Sequence, residues 1–167
     1  MRRALTLAVA VTVVLLAGHI EGADKAQIDA KITKAVSYLG KPGESDSDGE
    51  MAFKMTMEAL SLVAPETDFP SEFAENIDKA KGIFDSTSIV NPEGIAHLHK
   101  GYRLINSGKD FEMPSHISTI EDAVDHAKVQ LAAAREDLEE DKADECTRKL
   151  LEIAVMVVTP MEATLEK

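Results

Sequence analysis

The sequence predicts an all-α protein, an antiparallel bundle of five or six helices that ends in a long αα-hairpin. Three observations predict it. Beyond residue 22, apolar residues recur at three- and four-residue spacing in almost every stretch, which places them on one face of a helix. No run alternates apolar and polar residues long enough to make a half-buried strand. The two strongest helical patterns are separated only by the polar stretch EEDKAD, too short for anything but an antiparallel return.

The elements follow in order. Residues 26–39 align Ile28, Ile32, Ala35 and Leu39. A second helix over residues 48–64 carries Ala52, Met55, Ala59, Leu62 and Val63. In PSEFAENIDKAKGIF, Phe73, Ile77, Ala80 and Phe84 share a stripe, and DSTSIV breaks it. NPEGIAHLHKGYRLINSG then supplies Asn91 as an N-cap and Pro92 at the first helical position, where a missing amide hydrogen costs nothing. Ile95, Leu98, Tyr102 and Ile105 form its stripe and Gly108 its stop. Residues 115–140 hold Ile117, Ile120, Val124, Ala127, Leu131, Ala134 and Leu138 at alternating three- and four-residue steps, with Ser115 as the expected cap. The last helix begins near Asp144 and aligns Cys146, Leu150, Ile153 and Val157. Its LLEIAVMVV run is apolar nearly all round, as in a helix deep in a bundle or covered by another chain.

The chain opens on Met1, Arg2 and Arg3, then the apolar run ALTLAVAVTVVLLAG, in the order of a secretory signal peptide. Residues 1–22 are read as that signal and residues 23–167 as one helical-bundle domain. Cleavage is expected after Gly22 or Ala23, with Gly18 as the alternative, which makes the protein secreted or periplasmic and leaves no stable membrane anchor. Removing Arg2, Arg3 and Glu21 takes 18 basic and 30 acidic residues to a mature net charge of about −13. Such a charge repels nucleic-acid phosphates, so nucleic acid is excluded as a partner. Cys146 is the only cysteine, so no intramolecular disulfide forms and packing carries the stability.

GESDSDGEM, residues 43–51, has the look of the first half of an EF-hand calcium loop. With Glu44 at loop position 1, Asp46, Asp48 and Gly49 fall at positions 3, 5 and 6, but position 12 is Met55, where a bidentate carboxylate is required. The alternative is a linker ending the first helix and a Ser47 to Glu50 capping box starting the next. Asp46 and Asp48 stand as candidate ligands for a divalent ion on the first reading. Asp122 and His126, four apart on one helix face, are the other candidate pair, though heptad counting from Ile117 puts them on the outer surface. His97 and His99 point too far apart to chelate together. His116, near a helix start, has no evident partner.

Met51, Met55 and Met57 cluster in one helix, with histidines later in the chain. In layout alone this is similar to the exported b-type cytochrome bundles, and that resemblance implies haem iron held between a methionine and a histidine. No run of residues carries that family's motifs, and covalently attached haem would need a second cysteine. There is no G-x-S-x-G, H-E-x-x-H or phosphate-cradling glycine loop. The functional expectation is an acidic, exported binding or interaction module and not a catalyst, with no cofactor. Its partner would be a protein or a small apolar ligand, a homo-oligomer being one such arrangement. The alternative is a metal- or haem-binding bundle.

Overall fold

The computed structural model describes residues 20, 22–40 and 46–160. The signal-peptide assignment therefore lies outside the described residues except at Ile20 and Gly22. So do the Lys41 to Gly43 linker, Glu44 and Met161.

Among the described residues there are six α-helices and no strand. They are α1 (Gly22–Leu39), α2 (Asp46–Val63), α3 (Ser71–Ser86), α4 (Pro92–Ile105), α5 (Ile120–Glu139) and α6 (Ala143–Val158), with a single 3-10 turn at Ala64–Glu66 after α2. Consecutive helices pack as three hairpins, α1 on α2, α3 on α4 and α5 on α6. The hairpins join where α2 meets α3 and α6, α1 meets α5, and α4 meets α6. None of these helices is long and apolar enough to cross a membrane.

The all-round apolar character of α6 has an internal cause. It packs against α5, α2, α4 and the 3-10 turn, and nine of its sixteen residues are buried, including Leu150, Leu151, Ile153 and Val155. Each fully buried leucine or isoleucine contributes about 1.5–3 kcal/mol. The ion pairs that lace the surface, such as Glu72 with Lys100 and Lys81 with Asp85, are exposed to water and screened, and contribute little. Packing around α6 therefore outweighs them and covers the apolar run as far as Met156, whereas Val157, expected on the inward stripe, is 43% exposed.

Two helices depart from the sequence reading. In α5 the first helical residue is Ile120, four residues later than the Ser115 cap implied. Thr119 is the true N-cap: its hydroxyl accepts from the Asp122 amide at 3.1 Å, and the Asp122 carboxylate accepts from the Thr119 amide at 3.0 Å. This closed T-x-x-D box ends the helix there, so Ile117 is buried from a loop and Ile120 is left 74% exposed. In α4 the buried face is Gly94, Leu98, Gly101 and Ile105, while Ile95 and Tyr102 are half-buried. A Cβ on Gly94 would stand 2.6 Å from Phe84 Cε1 and one on Gly101 would stand 3.2 Å from Ile77 Cδ1. The two glycines let α4 lie against α3 closer than side chains allow. Asn91 caps α4 as expected, its side-chain oxygen accepting from the Glu93 and Gly94 amides at 3.0 and 3.4 Å.

One fully buried hydroxyl on α6, Thr147 Oγ1, finds no hydrogen-bond partner among the described residues. Stranding a buried hydroxyl costs about 1–3 kcal/mol. The near-isosteric Thr147→Val is accordingly expected to raise unfolding free energy by about 1 kcal/mol. A urea titration read by circular dichroism checks this, and a lower midpoint for the variant would show that the hydroxyl is satisfied.

Candidate functional site

The marked aspartates lie on two helices, Asp46 and Asp48 on α2 and Asp122 on α5. Asp46 and Asp48 both lie in the first turn of α2, in helical backbone, and so does Ser47, which therefore cannot be the N-cap of that helix. A run of helix from residue 46 to residue 63 also leaves no loop to wrap around an ion at positions 5 to 12 of the supposed calcium motif. Among the described residues no group of three or more histidine, cysteine, aspartate or glutamate side chains is placed to hold a metal ion.

Asp122 and His126 share α5 but face different neighbours. The Asp122 carboxylate is taken up by the helix start, accepting from the Ser118 amide, the Ser118 hydroxyl and the Thr119 amide, each at 3.0 Å. These donors hold its carboxyl below the usual aspartate range, the Ser118 amide most strongly. His126 is not on the outer surface. It flanks the true buried stripe of α5 (Ala127, Leu131, Ala134, Leu138), turned toward α6, and its side chain is only 14% exposed.

His126 joins residues that the sequence does not connect. Its Nε2 lies 2.9 Å from Glu152 Oε1 on α6, and its Nδ1 lies 3.2 Å from Nε2 of His116 in the α4–α5 loop. The two imidazole centroids are 5.1 Å apart with planes inclined at 56°. An ionised carboxylate can only accept, so Glu152 draws the His126 proton to Nε2 and leaves the Nδ1 lone pair facing His116. His116 is exposed, whereas His126 and Glu152 are half-buried or less accessible, so the chain runs from the α5–α6 interface out to solvent.

The surroundings hold this corner in place. Tyr102 of α4 stacks edge-on against Phe111 at 5.6 Å between centroids. Burial pushes its hydroxyl above the ordinary tyrosine range, with the Glu152 charge adding to the shift and Arg148 opposing it. Arg148, one turn before Glu152, donates to the Ile105 carbonyl at the end of α4 at 2.8 Å and lies over the Phe69 ring at 4.9 Å.

The other candidate groups are elsewhere. Cys146 is fully buried, its nearest influential charges being Asp137 and Lys149 and not a histidine. His97 bonds the buried Asn76 side chain at 3.0 Å, and burial lowers His99 below the usual histidine range. Met55 and Met57 are core residues, 9% and 2% exposed. A groove of about 520 Å³ between α1 and α5, floored by Ile32, Val36 and Leu131 and rimmed by Arg135, Glu136 and Glu139, contains neither methionine nor histidine.

These features define an acidic, three-hairpin helical bundle with an imidazole–carboxylate chain at one corner. No protein-family model, curated protein or solved structure matches the chain.

Proposed function

We propose that this protein is an exported binding module, not a catalyst, and that its ligand or partner engages the corner built by His116, His126 and Glu152. The observation that carries this reading is the exposed His116 imidazole, backed through His126 by a carboxylate from a different helix. A polar chain assembled from a loop and two helices costs ordering entropy and desolvation, and an exposed end open to solvent gives it something to bind. Cys146, the strongest nucleophile by residue type, is fully buried, which favours binding over covalent chemistry.

Export rests on the amino-terminal pattern of the sequence, and one residue bears on where processing occurs. Ile20 is 1% exposed and belongs to the core, although it falls within the segment read as signal peptide. Truncating a buried isoleucine to alanine costs about 2–5 kcal/mol. Cleavage after Gly18 keeps Ile20, and cleavage after Gly22 or Ala23 removes it, so the reading favours a mature chain beginning at His19. Intact-mass measurement of the secreted form should give that start, and a chain starting at Asp24 would contradict it.

The binding reading is tested with protein purified from its own host, wild type beside the double variant His116→Ala/His126→Ala. Native mass spectrometry should find wild type heavier than the bare chain and the folded variant at the bare mass. Two folded proteins both at the bare mass, with no change in elution volume, would remove the reading.

A further inference from the structure

We propose that His116 Nε2 and His126 Nδ1 together bind one borderline divalent transition-metal ion, with Glu152 as the positioning residue behind His126. The proposal rests on the binding reading above and names the ligand class for that same corner. Its first support is distance. Two imidazole nitrogens on a tetrahedral zinc, at about 2.0–2.1 Å each, stand about 3.3 Å from one another, and these two stand 3.2 Å apart.

The second support is the proton arrangement. A histidine that ligates through one nitrogen usually donates its other N–H to a carboxylate, which fixes the tautomer and strengthens the ligand. His126 has that environment: Nε2 is 2.9 Å from Glu152 Oε1, and Nδ1 is turned to His116. His116, exposed in its loop, must carry its proton on Nδ1 and tilt its ring off the line between the two nitrogens for both lone pairs to meet one ion. Ion binding replaces one N–H···N contact and displaces no buried group.

The third support is the division between rigid and open sides. His126 is anchored on α5 at 14% exposure, while His116 is exposed in the loop over it. Two protein ligands leave two positions of a tetrahedral ion open, where water or donor atoms of a bound molecule can sit. Glu152 reaches the far nitrogen of His126 and not the ion, which is consistent with the absence of a three-ligand cluster among the described residues. Imidazole nitrogen selects zinc, copper(II) or nickel(II) over hard cations such as calcium.

The test is isothermal titration of the untagged mature chain with zinc chloride, and separately with calcium chloride. The expected result is one zinc per chain, at least a tenfold weaker affinity in each of His116→Ala and His126→Ala, and no calcium heat at the same site. Glu152→Gln should weaken zinc about 10- to 100-fold and release the His126 tautomer preference seen by nitrogen-15 NMR, while circular dichroism stays unchanged. Absence of zinc binding, or one-to-one zinc binding undiminished in the folded His116→Ala variant, would overturn the proposal. Calcium competing for the zinc site would overturn it too. If zinc fails but wild-type protein from its host still carries a mass lost on His116→Ala, the metal is wrong and the binding reading stands.

Discussion

Phe84→Ala is expected to lower the unfolding free energy by about 3–5 kcal/mol. Phe84 is 1% exposed on α3, packs edge-on against Phe53 of α2 at 5.2 Å between centroids, and presses its ring edge on Gly94 of α4. One side chain therefore joins three helices, and its removal leaves a void lined by all of them. The aromatic pair itself should account for about 0.5–1.5 kcal/mol in a double-mutant cycle with Phe53→Ala. Gly94→Ala supplies a reciprocal check. A Cβ 2.6 Å from Phe84 Cε1 forces the ring to move, so that substitution should destabilise the wild type and be tolerated in the Phe84→Ala background. Urea unfolding of the five variants, three single and two double, measures both couplings, and a Phe84→Ala loss below about 1 kcal/mol would contradict this packing.

The second large effect is alkaline. Burial pushes the Cys146 thiol from an ordinary value of 9.0 up to about 12, with the Asp137 charge raising it further and Lys149 opposing. At neutral pH the thiol is protonated in both folded and unfolded chains and contributes no pH dependence. Above about pH 9 the unfolded chain gives up the proton and the folded chain keeps it, so the unfolded state binds fewer protons and stability falls as pH rises. The fall continues until the folded thiol ionises near pH 12, for a total on the order of 4 kcal/mol. Cys146→Ala removes this contribution. Its stability relative to wild type should improve steadily between pH 9 and pH 11, and a pH-independent difference would show that the thiol is not buried as described. The same burial predicts that a thiol reagent labels the native protein only at the rate of global unfolding.

The helices of the second half were legible because their apolar spacing is also their packing. Leu131, Ala134 and Leu138 face inward as the α5 stripe required, and α6 is apolar all round because three helices surround it. Spacing failed where the buried face has no side chain to count. Gly94 and Gly101 are the closest-approach positions of α4, and a tally of hydrophobic residues passes over them in favour of Ile95 and Tyr102. It failed again at the start of α5. There Ile117 continues the heptad numerically, but Thr119 and Asp122 close a capping box that stops the helix short.

That helix start decides the site as well. Counting from Ile117 sends His126 outward, and reading Asp122 as its partner ignores the three donors that already occupy the carboxylate. With the T-x-x-D signal of Thr119 to Asp122 taken as the cap, His116 falls in a loop and His126 beside the stripe, which is where the structure has them. Glu152 could not have been found from spacing. Its pairing with His126 across 26 positions arises only when α5 and α6 fold back on each other. On α6 it stands one turn after Arg148, whose contacts to Ile105 and Phe69 hold that side of the helix against α4 and the segment following the 3-10 turn.

The binding reading turns on one proton. If Glu152 backs His126 as described, the imidazole of His126 in the ligand-free protein carries its hydrogen on Nε2 and presents a bare Nδ1 to His116. Two-bond nitrogen–hydrogen correlation NMR of histidine-labelled protein reports that tautomer directly. The expected spectrum has His126 in the Nε2–H form in wild type and a mixed population in Glu152→Gln. A wild-type His126 in the Nδ1–H form, or one already averaging like a free imidazole, would contradict the arrangement on which the proposed site depends.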